Sequence, residues 1–268
     1  MNRIPEILPI LKAYGIQRRE VTESTEISLS APVTLVEVAA NVSLTILEQT
    51  PTTPYSILIL KLAEGANVTH ARQLFPEAEH WQVAVVEVAA NATYHLDNHA
   101  VGSSLHRQDL HIDCIGPGAR AQIVASAVVP KETHLDQQIT MRHLTEHSSS
   151  EQTFHNIVLD QGSATCNGRI YIGEGARGTD ARLSNKNLAL GDQATVNAKP
   201  ELEIYNDDVS CAHGATVGRL DPTHQFYFES RGVSPEAARQ LLSVAFVRAK
   251  TQGAQSQTSM GRYEDLLK

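Results

Sequence analysis

The hexapeptide VEVAAN occurs twice, at residues 36–41 and 86–91, an offset of 50 positions. Each copy alternates β-branched and polar residues, then stops at two alanines and an asparagine. Alternation with period two sends successive side chains to opposite faces of a strand. Small residues and asparagine then mark a tight turn. The same unit recurs in YSILILKLAEGANVTHARQLF, LHIDCIGPGARAQIVASAVV and GRIYIGEGARGTDARLSNKNLALG. A chain that repeats one short strand and one tight corner must stack equivalent coils or pack its strands as facing sheets. A parallel β-helix satisfies the pattern, because each coil bonds only to its neighbours and small corner residues stack closely. A β-sandwich gives similar runs. The spacing is too irregular for a strict hexapeptide repeat, which argues against the acyltransferase type of β-helix.

Composition narrows the function classes. Aromatics are 5% of the chain, with one Trp, so Ala, Val, Ile and Leu must fill the core, as they do in narrow, regularly stacked interiors. The formal net charge of −8 argues against a broad basic surface for nucleic acid. No apolar run approaches the roughly 18 residues that cross a bilayer. The start, MNRIPEILPILKAYG, carries an acid and prolines and lacks a signal-peptide layout. Three widely spaced cysteines, Cys114, Cys166 and Cys211, do not make a disulfide framework. The expectation is a soluble cytoplasmic protein, with no membrane and no nucleic-acid partner.

Two glycine-rich stretches invite a nucleotide reading. GEGARG (residues 173–178) matches G-x-G-x-x-G and follows the strand-like RIYI. A dinucleotide site needs that turn to open a helix, whereas TDARLSNKNLAL reads as another strand. GPGARA (residues 116–121) has the same shape, which favours coil corners. No P-loop pattern is present, so no nucleotide is expected on this chain. HIDC (residues 111–114) and HLTEH (residues 143–147) each offer two metal ligands. On a strand His111 and Cys114 face opposite sides, while His143 and His147 share one; both pairs read first as ordinary strand residues.

Past Gly218 the texture becomes helical. DPTHQFYFESRG and SPEAARQLLSVAFVRAK read as two helices, with Gly232 ending the first and Ser234, Pro235 and Glu236 starting the second. Ala238, Leu241, Leu242, Ala245 and Phe246 form the apolar stripe of the second. The tail TQGAQSQTSMGRYEDLLK reads as polar and loosely attached until YEDLLK. IPEILPILKAYG at the N-terminus reads as a short helix. This divides the chain into a helical segment and linker at 1–30, a β-helix core at 31–218 and a helical domain at 219–268. Just before the switch, Cys211 and His213 stand two apart and so share one strand face. A half-buried strand pair, half a metal site and a protein interface all remain open for them.

KPELEIYNDDVSCAHGATVGRLD, with QFYFESRGVSPEAARQLLSVAFV, resembles the C-terminal core of the SufB/SufD family of iron–sulfur cluster assembly scaffolds, the SufD branch being the closer. The likeness continues upstream through HSSSEQTFHNIVLDQGSATCNGRIYI and TDARLSNKNLALG. It implies a mostly β fold, a right-handed parallel β-helix followed by a small helical domain. It implies a non-catalytic scaffold that pairs, through the end of its β-helix, with a SufB-like chain or a second copy of itself. The helical domain is implied to dock a SufC-type ATPase. A transient iron–sulfur cluster is implied at the paired interface, with sulfur supplied by a cysteine desulfurase system. His213 matches an interface histidine implicated in assembly, and Cys211 a neighbouring cysteine. Asn185 stands where SufB carries an essential cysteine, which argues against SufB. Phe226, Tyr227, Arg231 and Phe246 are the implied partner contacts. Only about 30 residues precede the core, so the likeness implies a short, core-only form and leaves flavin contacts unassigned. His111, His143, His147 and Cys166 receive no role from it. Two rival readings stand beside this one: a β-helix carbohydrate-active enzyme with an acidic groove, and a structural adaptor that binds no iron.

Overall fold

The computed structural model of the protein describes residues 15–29, 31–50, 52–248 and 255–267. Within these residues the strands alternate between two sheets. One sheet holds β1 (Gln17–Val21), β3 (Val33–Val38), β5 (Tyr55–Leu62), β7 (His80–Val88), β9 (His106–Cys114), β11 (His134–His143), β13 (Ser163–Ile172) and β15 (Thr195–Ile204). The other holds β2 (Thr25–Leu29), β4 (Ser43–Gln49), β6 (Asn67–Leu74), β8 (Thr93–Val101), β10 (Arg120–Val129), β12 (Ser149–Leu159), β14 (Thr179–Leu190) and β16 (Val209–Gly218). Every strand pairs in parallel with the strand two places on. Antiparallel pairing, which a sandwich requires, is absent between these strands. The fold is a parallel β-solenoid followed by three helices, α1 (Pro222–Glu229), α2 (Pro235–Arg248) and α3 (Gln255–Leu266).

The coils widen along the chain. Gln17 pairs with Thr34, a step of 17 residues; Tyr55 pairs with Trp81, a step of 26; Ser163 pairs with Thr195, a step of 32. The two VEVAAN copies lie two coils apart, since Val36 pairs with Leu60 and Leu60 with Val86. Strands begin at Gln17, ahead of residue 31. Val21 and Leu29 are the buried residues of β1 and β2, so no apolar alternation announces them. Residues 4–14 of the expected N-terminal helix lie outside the described residues.

Left-handed corners stack in a column: Asn41 (φ 60°), Gly65 (68°), Asn91 (55°), Gly118 (71°), His147 (56°) and Gly178 (69°). Each corner N–H donates to the next coil, as from Asn91 to Pro117 O at 2.9 Å and from His147 to Arg177 O at 2.7 Å. Asparagine tolerates this conformation and glycine adopts it freely. Gly118 must also stay bare, because a Cβ there would lie 2.6 Å from Asn91 Oδ1. GPGARA and GEGARG therefore build corners, and the second leads into β14 rather than a helix.

The interior is apolar along most of its length, from Val36 and Leu60 through Val86, Leu96, Ile112 and Ile123 to Ile170. The outer face of the even-numbered sheet is also covered. Val101, Val128, Ile157, Leu188 and Leu190 pack against Val247 of α2 and Met260 and Tyr263 of α3. With both faces covered, β8 and β12 are buried almost continuously rather than in alternation. The Tyr263 hydroxyl accepts from Ala100 N–H at 3.0 Å and donates to Ser126 O at 2.8 Å. His155 Nδ1 donates to Phe246 O at 2.7 Å, and the two rings stack at 4.9 Å.

Two helical expectations change. The tail is helical from Gln255, well before YEDLLK, and is held by Met260 and Tyr263. Two anchors three residues apart suffice to seat a helix, and they are too few to announce one in so polar a stretch. In α2 the buried residues are Ala238, Ser243 and Val247, while Leu241 is 52% exposed. The helix is turned so that Ser243, whose hydroxyl donates back to Arg239 O at 2.8 Å, faces inward in place of a larger apolar residue.

Candidate functional site

β15 and β16 close the wide end of the solenoid, and each pairs on one side only. Among the described residues their outer hydrogen-bonding edges are thus unpaired backbone, which invites a covering strand or chain. Ile204, Tyr205 and Val217 stand exposed at this end. An open cleft of about 410 Å³ lies between the two strands, lined by Val196, Asn197, Ala198, Lys199, Ala215 and Val217.

Cys211 and His213 lie on β16, in register with Ala181 and Leu183 of the coil beneath. Cys211 is half-buried and packs against the main core, as do Leu202 and Val209. His213 shares its face by the two-residue period but is exposed, because no further coil of the described residues covers it. Burial, helped by the Asp180 carboxylate, raises the Cys211 thiol above its ordinary pKa. A metal binding there must displace that proton. No group of three or more His, Cys, Asp or Glu side chains with metal-holding geometry occurs among the described residues. The pair offers two donors, one imidazole nitrogen and one sulfur, on an open edge. Iron accepts both donor types, and two donors leave its coordination incomplete.

Asn185 is buried beneath Ala215 and accepts from Asn187 Nδ2 at 3.0 Å. Asn187 is linked in turn to Asn156 at 3.0 Å, and Asn156 Nδ2 donates to Cys166 Sγ at 3.1 Å. These interior amides give Asn185 a packing role in this chain. Desolvation pushes the thiols of Cys166 and Cys114 up to about 12, so neither is a ready thiolate.

The remaining histidines disperse. His111 lies on the half-buried outer face of β9 and Cys114 on its inner face. His143 ends β11, fully buried, with its ring nitrogens 2.8 Å from Ser148 Oγ and Ser150 Oγ. His147 sits past the strand in a left-handed corner, so the i, i+4 relation that holds within a strand does not join it to His143.

The helical residues divide likewise. Phe226 and Tyr227 of α1 are 70% and 56% exposed, and the Arg231 guanidinium lies 5.5 Å from the Tyr227 ring centre. Phe246 instead packs on His155 against the solenoid. The Tyr263 anchor escapes sequence reasoning, since its hydroxyl bonds chiefly to backbone groups of β8 and β10, more than a hundred residues away.

Comparison with known proteins places this arrangement. The profile described as SUF system FeS cluster assembly, SufBD core domain, matches residues 20–246. Over 195 residues the chain is 33% identical to the iron–sulfur cluster assembly protein SufD of Escherichia coli, covering 72% of this chain and 46% of that protein. It is 29% identical over 222 residues to the SufBD family protein slr0076 of Synechocystis, covering 81% of this chain and 49% of that one. It is 30% identical over 163 residues to SufB of Bacillus subtilis, covering 60% and 35%. The chain thus spans half or less of the length of these relatives. A match across nearly the whole solenoid, all of α1 and most of α2 shows that the chain belongs to the SufBD core-domain family of the SUF iron–sulfur cluster assembly system.

Proposed function

We propose that this chain is a SufD-like scaffold subunit on which an iron–sulfur cluster is built as cargo. The observation that carries the reading is the placement of Cys211 and His213 on an edge strand, as two donors with no third beside them among the described residues. A half-set of ligands on an open edge suits a site completed across an interface, by a SufB-like chain or a second copy. Incomplete ligation from this side also suits cargo that must leave. His213 acts as the nitrogen donor, and Cys211 gives up its proton as the metal arrives. The exposed Phe226 and Tyr227, with Arg231 against Tyr227, serve as the docking contacts for a SufC-type ATPase. The chain acts as a scaffold in the cytoplasm rather than as a catalyst. The carbohydrate-enzyme reading needs paired carboxylates, and the six residues lining the cleft include none.

The test is anaerobic reconstitution with SufB- and SufC-type partners, an iron source and a cysteine desulfurase. Cluster absorbance is expected with the wild-type chain and its loss with His213→Ala, while the variant's unfolding curve stays within about 0.5 kcal/mol of wild type, as for an exposed side chain. Undiminished cluster formation by the variant defeats the assignment. Absence of a cluster under every pairing favours the iron-free adaptor.

A further inference from the structure

At the narrow end of the solenoid, polar side chains from successive coils converge inside. One Glu48 oxygen accepts from His70 Nε2 and from Arg72 Nε, each at 2.9 Å; the other accepts from Gln82 Nε2. Glu48, His70, Arg72 and Gln82 are all buried. Desolvation opposes the carboxylate's charge, but Arg72 and the hydrogen bonds from His70 and Arg72 outweigh it and hold Glu48 at about 2. The same burial keeps His70 neutral, with its pKa lowered. Glu48 and Arg72 therefore balance, and the cluster has no net charge to attract an ion.

Beside the cluster lies a cavity of about 10 Å³, with Leu29, Thr34, Glu48, Ser56 and Leu58 in its wall. Thr34 is 2% exposed, and its hydroxyl has no hydrogen-bond partner among the described residues. Arg72 Nη2 and Gln82 Oε1, on the same cluster, are also unpartnered among the described residues. A buried polar atom without a partner carries the penalty of lost hydration, so native interiors satisfy nearly all of them. A cavity of this size accepts one water molecule and nothing larger, and polar walls are what retain a water inside a protein.

We infer that this cavity is a binding site for a single internal water molecule, which bridges the Thr34 hydroxyl to the Glu48 carboxylate. The water completes the hydrogen bonding of the cluster and ties β3 to β4 across the interior. Its site is independent of the cluster-assembly reading and lies at the opposite end of the solenoid.

Two measurements test it on the full chain. In a high-resolution crystal structure, density is expected within hydrogen-bond distance of both Thr34 Oγ1 and Glu48. Oxygen-17 water relaxation dispersion is expected to lose one long-lived water in Thr34→Val and to keep it in Thr34→Ser. Equal dispersion amplitude in wild type and Thr34→Val overturns the inference. So does a crystal structure in which the Thr34 hydroxyl bonds a protein group directly, or in which the density has the short coordination distances of a metal ion. The wild-type density separates these outcomes even if the valine variant folds poorly.

Discussion

His106 and His143 are held inside the solenoid as neutral imidazoles, and desolvation lowers each to about 4. His70 and His80 are lowered as well, with burial again the largest cause. In the unfolded chain a histidine takes up its proton near pH 6.5, whereas His106 and His143 wait in the folded chain until about pH 4. Stability is therefore complete above pH 6.5 and drains away as pH falls from 6.5 to 4, by up to about 3 kcal/mol for each of the two. Glu48 follows a lower window: its contribution is present above pH 4.5 and is lost only as pH falls toward 2. Urea unfolding at a series of pH values should show a flat stability above pH 7 and a steep fall between 6.5 and 4. Replacing His143 with Gln should make that fall shallower; an unchanged slope would mean the imidazole is not kept neutral. Side-chain environments of this kind are invisible along the chain, because Ser148 and Ser150 reach the His143 ring only once the backbone has rounded the corner from β11 into β12. What the chain does disclose is the pairing of Cys211 with His213, since strand alternation alone puts them on one face. It does not disclose that Asn185 would be buried among amides, or that Phe246 would lie against His155.

Strand and corner were readable because each has a local grammar. VEVAAN carries both the alternation and the left-handed residue, and its second copy returned two coils later. The grammar has a direct test at Gly118, where φ is 71° and a Cβ would crowd Asn91 Oδ1. Gly118→Ala should destabilise by about 1–3 kcal/mol. Adding Asn91→Ala should restore the part due to the contact but not the part due to backbone conformation. A pair of urea titrations measures both, and simple additivity of the two changes would refute the contact. The helices that cover the even-numbered sheet followed no such grammar. α3 is mostly polar and is fastened through Tyr263 to backbone atoms more than a hundred residues away in sequence. Tyr263→Phe keeps the ring and removes the hydroxyl, leaving the buried Ala100 N–H without its acceptor. A loss of about 1–3 kcal/mol is expected, with amide hydrogen exchange quickening in α3 before it does in β10. Uniform quickening throughout would show that the helix and the solenoid unfold as one.

The solenoid and its helical cover share one apolar layer, so the helices are more than an appendage. Val101, Val128, Ile157 and Leu188 are buried by them. A chain ending after residue 218 should retain its β circular dichroism but bind hydrophobic dye and self-associate in light scattering, since it bares this stripe. A monomeric, dye-silent truncate would show that the cover is dispensable. The two ends of the stack differ in kind: one is narrow and pinned by a buried ion pair, the other broad and edged by the Cys211–His213 strand. Because the lap lengthens from 17 residues to 32, laps near one end cannot stand in for laps near the other. A duplicated or skipped storey would overhang its neighbours or fall short of them. The winding thus carries its own count, and the two-donor strand can arrive only at the final landing, the one place where a visitor can reach it.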